Sequence, residues 1–151
     1  MRLLESAKIE YLPLEYEVDE NDLSGVHVAK ELGQPPEQVF KTLVLKGERT
    51  GFFVCCIPVD KELDLKKAAK AAHDKKAEML PLKDLLPTTG YIRGGCSPVG
   101  MKKQFVTTYH ETAQNNPVIM VSGGKIGTQV ECKPDDLLKI TRGQYADICK
   151  E

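Results

Sequence analysis

The apolar positions along the chain fall into short runs separated by polar, glycine-marked turns. The clearest case is FKTLVLKGERTGFFVCCIPV (40–59), two β-rich stretches joined by a polar segment carrying Gly47 and Gly51, which predicts a hairpin. Upstream, YLPLEYEVD (11–19) sets Leu12, Leu14, Tyr16 and Val18 at alternate positions, the period of a half-buried strand. Residues 1–9 predict a short helix, and Ser24 is placed to cap a second, GVHVAKELG, closed by Gly33. PPEQV (35–39) reads as a brief helical turn, since proline is tolerated at a helix start.

Downstream, Asp64 is placed to cap LKKAAKAAH, with Leu65, Ala68, Ala69 and Ala72 inward and Lys66, Lys67 and Lys70 outward. AEML (77–80) suits a strand and PLKDLL (81–86) a short helix. Three more strand patterns follow: QFVTTY (104–109), PVIMVSGG (117–124) and TQVECK (128–133). Pro134, Asp135 and Asp136 open a helix DLLKI, and an amphipathic QYADIC ends the chain. Short strands interleaved with short helices, without repeats or linkers, predict one α+β domain over residues 1–151, built on a curled, mixed sheet.

Composition narrows this picture. The 151 residues are 41% hydrophobic and 28% charged, and tryptophan is absent, so a globular core must lean on Leu, Val, Ile and Ala. The net charge of −1 gives no bulk attraction for nucleic acid, so any such contact needs a local patch. Glu5 and Lys8 interrupt the N-terminal apolar run, so no signal-peptide core is expected. The longest apolar stretch, GFFVCCIPV, is far shorter than the roughly 20 residues of a spanning helix. Five cysteines and no secretory signal favour reduced thiols and a cytoplasmic location.

No familiar catalytic pattern stands out. Cys55 and Cys56 are adjacent on a strand and point to opposite faces, and His27, His73 and His110 lie on different elements, so no metal site is expected. Ser97 lacks the spacing of a nucleophile elbow, and Cys96 has no evident histidine partner. Two glycine-rich segments do invite attention: TTGYIRGGCSPVG (88–100) and VSGGKIG (121–127). They read equally as two walls of a ligand pocket or as two turns with nothing between them. Lys41, inside an apolar strand, either snorkels to solvent or faces a polar cavity. The lysines at 66, 67, 70, 75, 76, 102 and 103 form either ordinary solvated faces or a phosphate-contacting rim. Asp136 is explained by a helix start alone.

Taken in order, FKTLVLKG, DLKKAAKAAHDKKAEM, TTGYIRGGCSPVGMKK, VSGGKIG and DDLLKI resemble the YbaK/EbsC family, free-standing relatives of the prolyl-tRNA synthetase editing domain. The resemblance covers nearly the whole chain and is nearest the YbaK branch, the deacylases of cysteinyl-tRNA(Pro). It implies a mixed, largely closed β-barrel surrounded by helices, with the tRNA 3′ end entering a cleft. It assigns Lys41 to the pocket lysine, Thr42 to its neighbour, Tyr16 to a pocket tyrosine and Asp136 to the acidic residue before the late helix. Gly94, Gly95, Ser97 and Gly100 match the first glycine loop; Ser122 and Gly124 match the second. Cys96 stands where the family more often has an apolar residue.

The function implied is hydrolytic trans-editing without a cofactor or metal, in the cytoplasm, with mischarged tRNA as substrate and prolyl-tRNA synthetase as a partner. In the family picture the cysteinyl thiol attacks its own ester, which suits a chain without an evident nucleophile. An aminoacyl ester is already activated, so positioning and charge stabilisation suffice; glycine-loop N–H groups and Lys41 are the expected sources. Deacylation of another mischarged tRNA, alanyl or seryl, and a non-catalytic module binding an aminoacyl or nucleotide end are the alternatives.

Overall fold

The computed structural model describes residues 11–16, 25–91, 96–101, 105–124 and 127–150. The expected N-terminal helix, the Ser24 cap, Gly94, Gly95 and the Lys102–Lys103 pair lie outside the described residues.

The expected hairpin is present. Strand β2 (Phe40–Gly47) pairs antiparallel with β3 (Phe52–Pro58) in unbroken register from Phe40↔Pro58 to Lys46↔Phe52. Its turn is held from outside: the Asp74 carboxylate accepts hydrogen bonds from Arg49 N (3.0 Å), Thr50 N (2.9 Å) and the Thr50 hydroxyl (2.8 Å). Gly47 is required here, because a Cβ at that position would collide with the same carboxylate. Strand β4 (Ala77–Met79) adds to the free edge of β2, while β5 (Val106–His110) runs parallel to β3 and β8 (Gln144–Ala146) parallel to β5. The C-terminal QYADIC segment is therefore partly an edge strand. A second sheet places β7 (Thr128–Cys132) between β1 (Tyr11–Glu15) and β6 (Ile119–Ser122), both antiparallel to it.

The two sheets meet at one isolated parallel bridge, Val39–Met120. The molecule is mixed α+β, with two sheets and four α-helices among the described residues. The largely closed barrel implied by the resemblance is not found there. The larger sheet ends in two three-residue edge strands, β4 and β8, and ladder pairing does not continue from either round to β1.

Alternation along β2 divides the interior. Phe40, Val44, Val54 and Cys56 pack in one cluster with Tyr109, Ile119, Val121 and Cys132. Leu45, Phe53, Cys55 and Ile57 face the opposite way, against Ala68 and Ala69 of helix α2 (Leu65–Ala71) and against Ile148 and Cys149. A smaller cluster joins Ala29 of helix α1 (Gly25–Leu32) to Val39, Val59 and Met120 at the sheet junction.

Asp64 caps α2 as expected, accepting from Lys66 N (2.9 Å) and Lys67 N (3.1 Å). Two inward–outward assignments on this helix are corrected. Leu65 is 39% exposed, because the first helical residue directs its side chain back past the helix start and away from the sheet. Lys67 is half-buried, its ammonium donating to Asp147 Oδ2 and to the Cys149 carbonyl, each at 3.0 Å. Helix α3 (Leu82–Thr89) runs three residues beyond the predicted PLKDLL and includes Pro87. Helix α4 (Pro134–Thr141) opens on Pro134 as predicted.

Candidate active site

The junction of the two sheets gathers chemistry from four strands. In the smaller sheet Gln129 of β7 stands opposite Leu14 of β1 on one side and Ser122 of β6 on the other. Residues in one such row share a face. Tyr16, two positions beyond Leu14, continues on that face, and its N–H donates to the Gly127 carbonyl at 3.1 Å. Lys41 reaches the same place from the larger sheet. The Val39–Met120 bridge is parallel, so the residues two positions further along, Lys41 and Ser122, face the same side as that pair. Tyr16, Lys41, Ser122 and Gln129 thus share a face with the apolar Leu14, Val39 and Met120.

Two features mark this face as more than packing. Gln129 is only 6% exposed, and its Oε1 has no hydrogen-bond partner among the described residues. A buried, unpaired amide oxygen costs about 1–3 kcal/mol, which a ligand donor would offset. Beside it Lys41 is half-buried, and among the described residues no carboxylate forms an ion pair with it. Its positive field reaches across the sheet face to the Cys149 thiol.

The two glycine turns are built alike. In the first, the Ser97 hydroxyl accepts from Val99 N at 3.2 Å, and Gly100 has φ +79. In the second, the Ser122 hydroxyl accepts from Gly124 N at 3.2 Å, Gly123 N donates to the Thr128 carbonyl at 2.9 Å, and Gly124 has φ +103. The N–H groups of Val99, Gly123 and Gly124 are therefore committed within the protein. These three N–H groups are thus not free donors for a ligand. Tyr91 lies between the turns: its hydroxyl donates to the Val99 carbonyl at 2.5 Å, and its ring stands 3.3 Å from where a Gly124 Cβ would be.

Other predicted residues are placed elsewhere. Thr42 lies on the opposite face of β2 from Lys41, its hydroxyl 3.7 Å from the Cys56 thiol. Asp136 sits in the first turn of α4, half-buried, and its charge acts on Cys132. Cys132 is three residues beyond Gln129, about 10 Å along the strand, and its side chain belongs to the other core cluster. Asp135, its neighbour, accepts the Tyr145 hydroxyl at 2.7 Å.

No protein thiol is poised as a nucleophile. All five cysteines are free and buried. Burial pushes the Cys55, Cys96 and Cys132 thiols up to about 12 and Cys149 to about 11, and drives Cys56 further up still. A thiol so protonated and enclosed does not attack an ester; Cys96 is packing beside the first turn. Among the described residues no three His, Cys, Asp or Glu side chains gather as metal ligands.

Gln129 and Tyr91 were not singled out by the sequence. In TQVEC, Gln129 reads as the polar half of a strand alternation, and only the near-continuous burial of Thr128–Cys132 shows that both faces of β7 are covered.

The chain is a member of the aminoacyl-tRNA editing domain family, whose model matches residues 23–140. It is 53% identical over 148 residues, 98% of this chain and 90% of the relative, to EbsC of Enterococcus faecalis (strain ATCC 700802 / V583), named as a candidate Cys-tRNA(Pro)/Cys-tRNA(Cys) deacylase. Half of the chain is 36% identical over 75 residues to a proline–tRNA ligase of Fervidobacterium nodosum (strain ATCC 35602 / DSM 5306 / Rt17-B1), covering 13% of that enzyme. Among solved structures, a candidate trans-editing enzyme for prolyl tRNA synthetase superposes with TM-score 0.84 at 23% identity, over 99% of this chain and 94% of that one. The hypothetical protein APE2540 superposes with TM-score 0.89 at 21% identity, over 99% and 97%. The last two establish the shared fold.

Proposed function

We propose that this protein is a deacylase of Cys-tRNA(Pro), acting in trans on the mischarged 3′ end. The observation that carries the reading is the single face holding Tyr16, Lys41, Ser122 and Gln129, with the Gly123–Gly124 turn following directly from Ser122. The 53% identity to EbsC over 148 residues supports the substrate class.

In this reading the terminal adenosine ester lies across the sheet junction. Lys41 holds its phosphate or ester oxygens by charge, and the orphan Gln129 Oε1 accepts a hydrogen bond from an amine or hydroxyl donor of the substrate. Tyr16 closes one side. Ser97, Gly100 and Gly124 shape the walls, with Ser97 and Ser122 folding their own turns, and the resemblance assigns Gly94 and Gly95 to the first loop. Thr42 acts through Cys56 and β2 from the opposite face, and Asp136 stays at a distance as a helix-start charge.

With the protein's own thiols covered and protonated, the reading follows the family resemblance, in which the substrate supplies the nucleophile. The sulfur of the cysteinyl side chain attacks its own ester carbon and the C–O bond to the ribose breaks. The thiol proton passes to the departing 3′ oxygen, so that tRNA and a cyclic thiolactone are released. Water then opens the thiolactone to cysteine. Selectivity follows, because alanyl and prolyl esters have no thiol. Trapping the product on a fast-reacting amine tests this: a thiolactone adduct is expected, and free cysteine as the first product contradicts the route.

The chain works as one domain, without a cofactor, in the cytoplasm, and prolyl-tRNA synthetase supplies tRNA selection. The partial match to a proline–tRNA ligase supports that partnership. Among the described residues no helix is long and apolar enough to cross a membrane.

A further inference from the structure

Each glycine turn closes on itself through its own serine, Ser97 to Val99 N and Ser122 to Gly124 N. Neither of these bonds sets the distance between the turns. Tyr91 touches both. Its hydroxyl donates to the Val99 carbonyl at 2.5 Å, and its ring edge approaches Gly124 so closely that an added Cβ would sit 3.3 Å from Cε1 and 3.8 Å from the hydroxyl oxygen. Tyr91 is itself fixed, since its N–H donates to the Thr89 hydroxyl at 3.0 Å, and that hydroxyl donates to the Leu85 carbonyl at 2.8 Å. A chain of bonds therefore runs from α3 through Tyr91 to the first turn, with the second turn resting on the ring. Gly124 is glycine on two counts, its φ of +103 and the ring against it.

We infer that Tyr91 is a positioning residue that gauges the gap between the two glycine turns, and hence the fit of the aminoacyl-adenosine end between them. A phenolic strut suits this task because the ring has only two side-chain torsions, and its hydroxyl fixes the far end to the Val99 carbonyl. The kinetic consequence rests on the deacylase reading. Misplacing a bound ester by a fraction of an ångström to an ångström acts on the chemical step, while the rest of the tRNA still binds.

The test compares wild type, Tyr91→Phe, Gly124→Ala and the double variant on Cys-tRNA(Pro), with melting temperatures measured alongside. Tyr91→Phe keeps the ring and loses the tether; kcat is expected to fall about tenfold or more, with KM changed less than about twofold. Gly124→Ala is expected to lower kcat as well. In the double variant the untethered ring can swing aside from Ala at 124, so its loss is smaller than the product of the two single losses. Equal kcat in Tyr91→Phe and wild type overturns the inference, as does a fall in melting temperature with kcat unchanged, or strict multiplicativity in the double variant. Amide exchange at Val99 and Gly124 supplies a readout free of turnover. Faster exchange at both sites in Tyr91→Phe is expected, and unchanged exchange overturns the strut. Absence of wild-type deacylation would sink the deacylase reading alone, leaving the exchange result to decide the strut.

Discussion

Gln129 and Lys41 carry opposite kinds of energetic cost at the junction. The Gln129 amide oxygen is buried without a partner among the described residues, a feature that lowers stability and that folding alone does not explain. Replacing it by Leu, of similar size and with nothing to satisfy, is expected to raise the melting temperature by about 2–4 °C while deacylation falls about tenfold or more. Thermal melts and initial rates on the same preparation check this; a variant both less stable and fully active contradicts the assignment. Neither property was legible in TQVEC, where a glutamine reads as solvent-facing. Lys41 was legible as a lysine out of place in an apolar strand, but its face was not. Only the parallel bridge at Val39–Met120 puts it with Ser122 rather than with its neighbour Thr42.

At the level of elements, local signals were the readable ones. The hairpin over 40–59, the Asp64 cap and the Pro134 start each rest on residues a few positions apart, and each is present. Asp64→Ala should cost about 0.5–2 kcal/mol through loss of its two N–H acceptor bonds, lowering the melting temperature without changing KM; an unaltered melt would contradict the cap's importance.

What could not be read were elements made by distant partners, above all β8. The segment after it is anchored where Ile148 N donates to His110 Nδ1 at 3.3 Å, with Asp147 Oδ1 4.0 Å from the same nitrogen. That bond needs a neutral imidazole. Burial lowers the His110 pKa against the opposing pull of Asp147 and Glu111, with Lys61 and Lys67 adding to the decrease. The unfolded chain therefore binds the extra proton first, so this contribution is present above the ordinary histidine value of about 6.5 and is lost as pH falls below it. Melting temperature should drop on going from about pH 7 to pH 5, and His110→Gln should flatten that dependence. The same slope in both proteins would contradict the role given to His110.

Across the whole molecule, two sheets joined at one bridge create a face that neither has alone. The smaller sheet brings Tyr16, Ser122 and Gln129, and the larger brings Lys41. Fold class followed from the alternation of short strands and helices. The division into two sheets did not, because it depends on pairings between strands far apart in the chain, such as β1 with β7. The closed barrel implied by the family resemblance is not found among the described residues. The same resemblance identified the family correctly, since ordered motifs persist where pairing details do not.

In the proposed function this junction removes cysteine from tRNA(Pro), with Lys41 supplying charge and the substrate supplying the thiol. The most direct measurement is a deacylation time course on Cys-tRNA(Pro) beside Ala-tRNA(Pro), for wild type and Lys41→Ala, with melting temperatures confirming that both proteins are folded. Rapid loss of the cysteinyl ester alone is predicted, slowed about a hundredfold by the substitution. Equal loss of both esters, or a Lys41→Ala protein as fast as wild type, would contradict it.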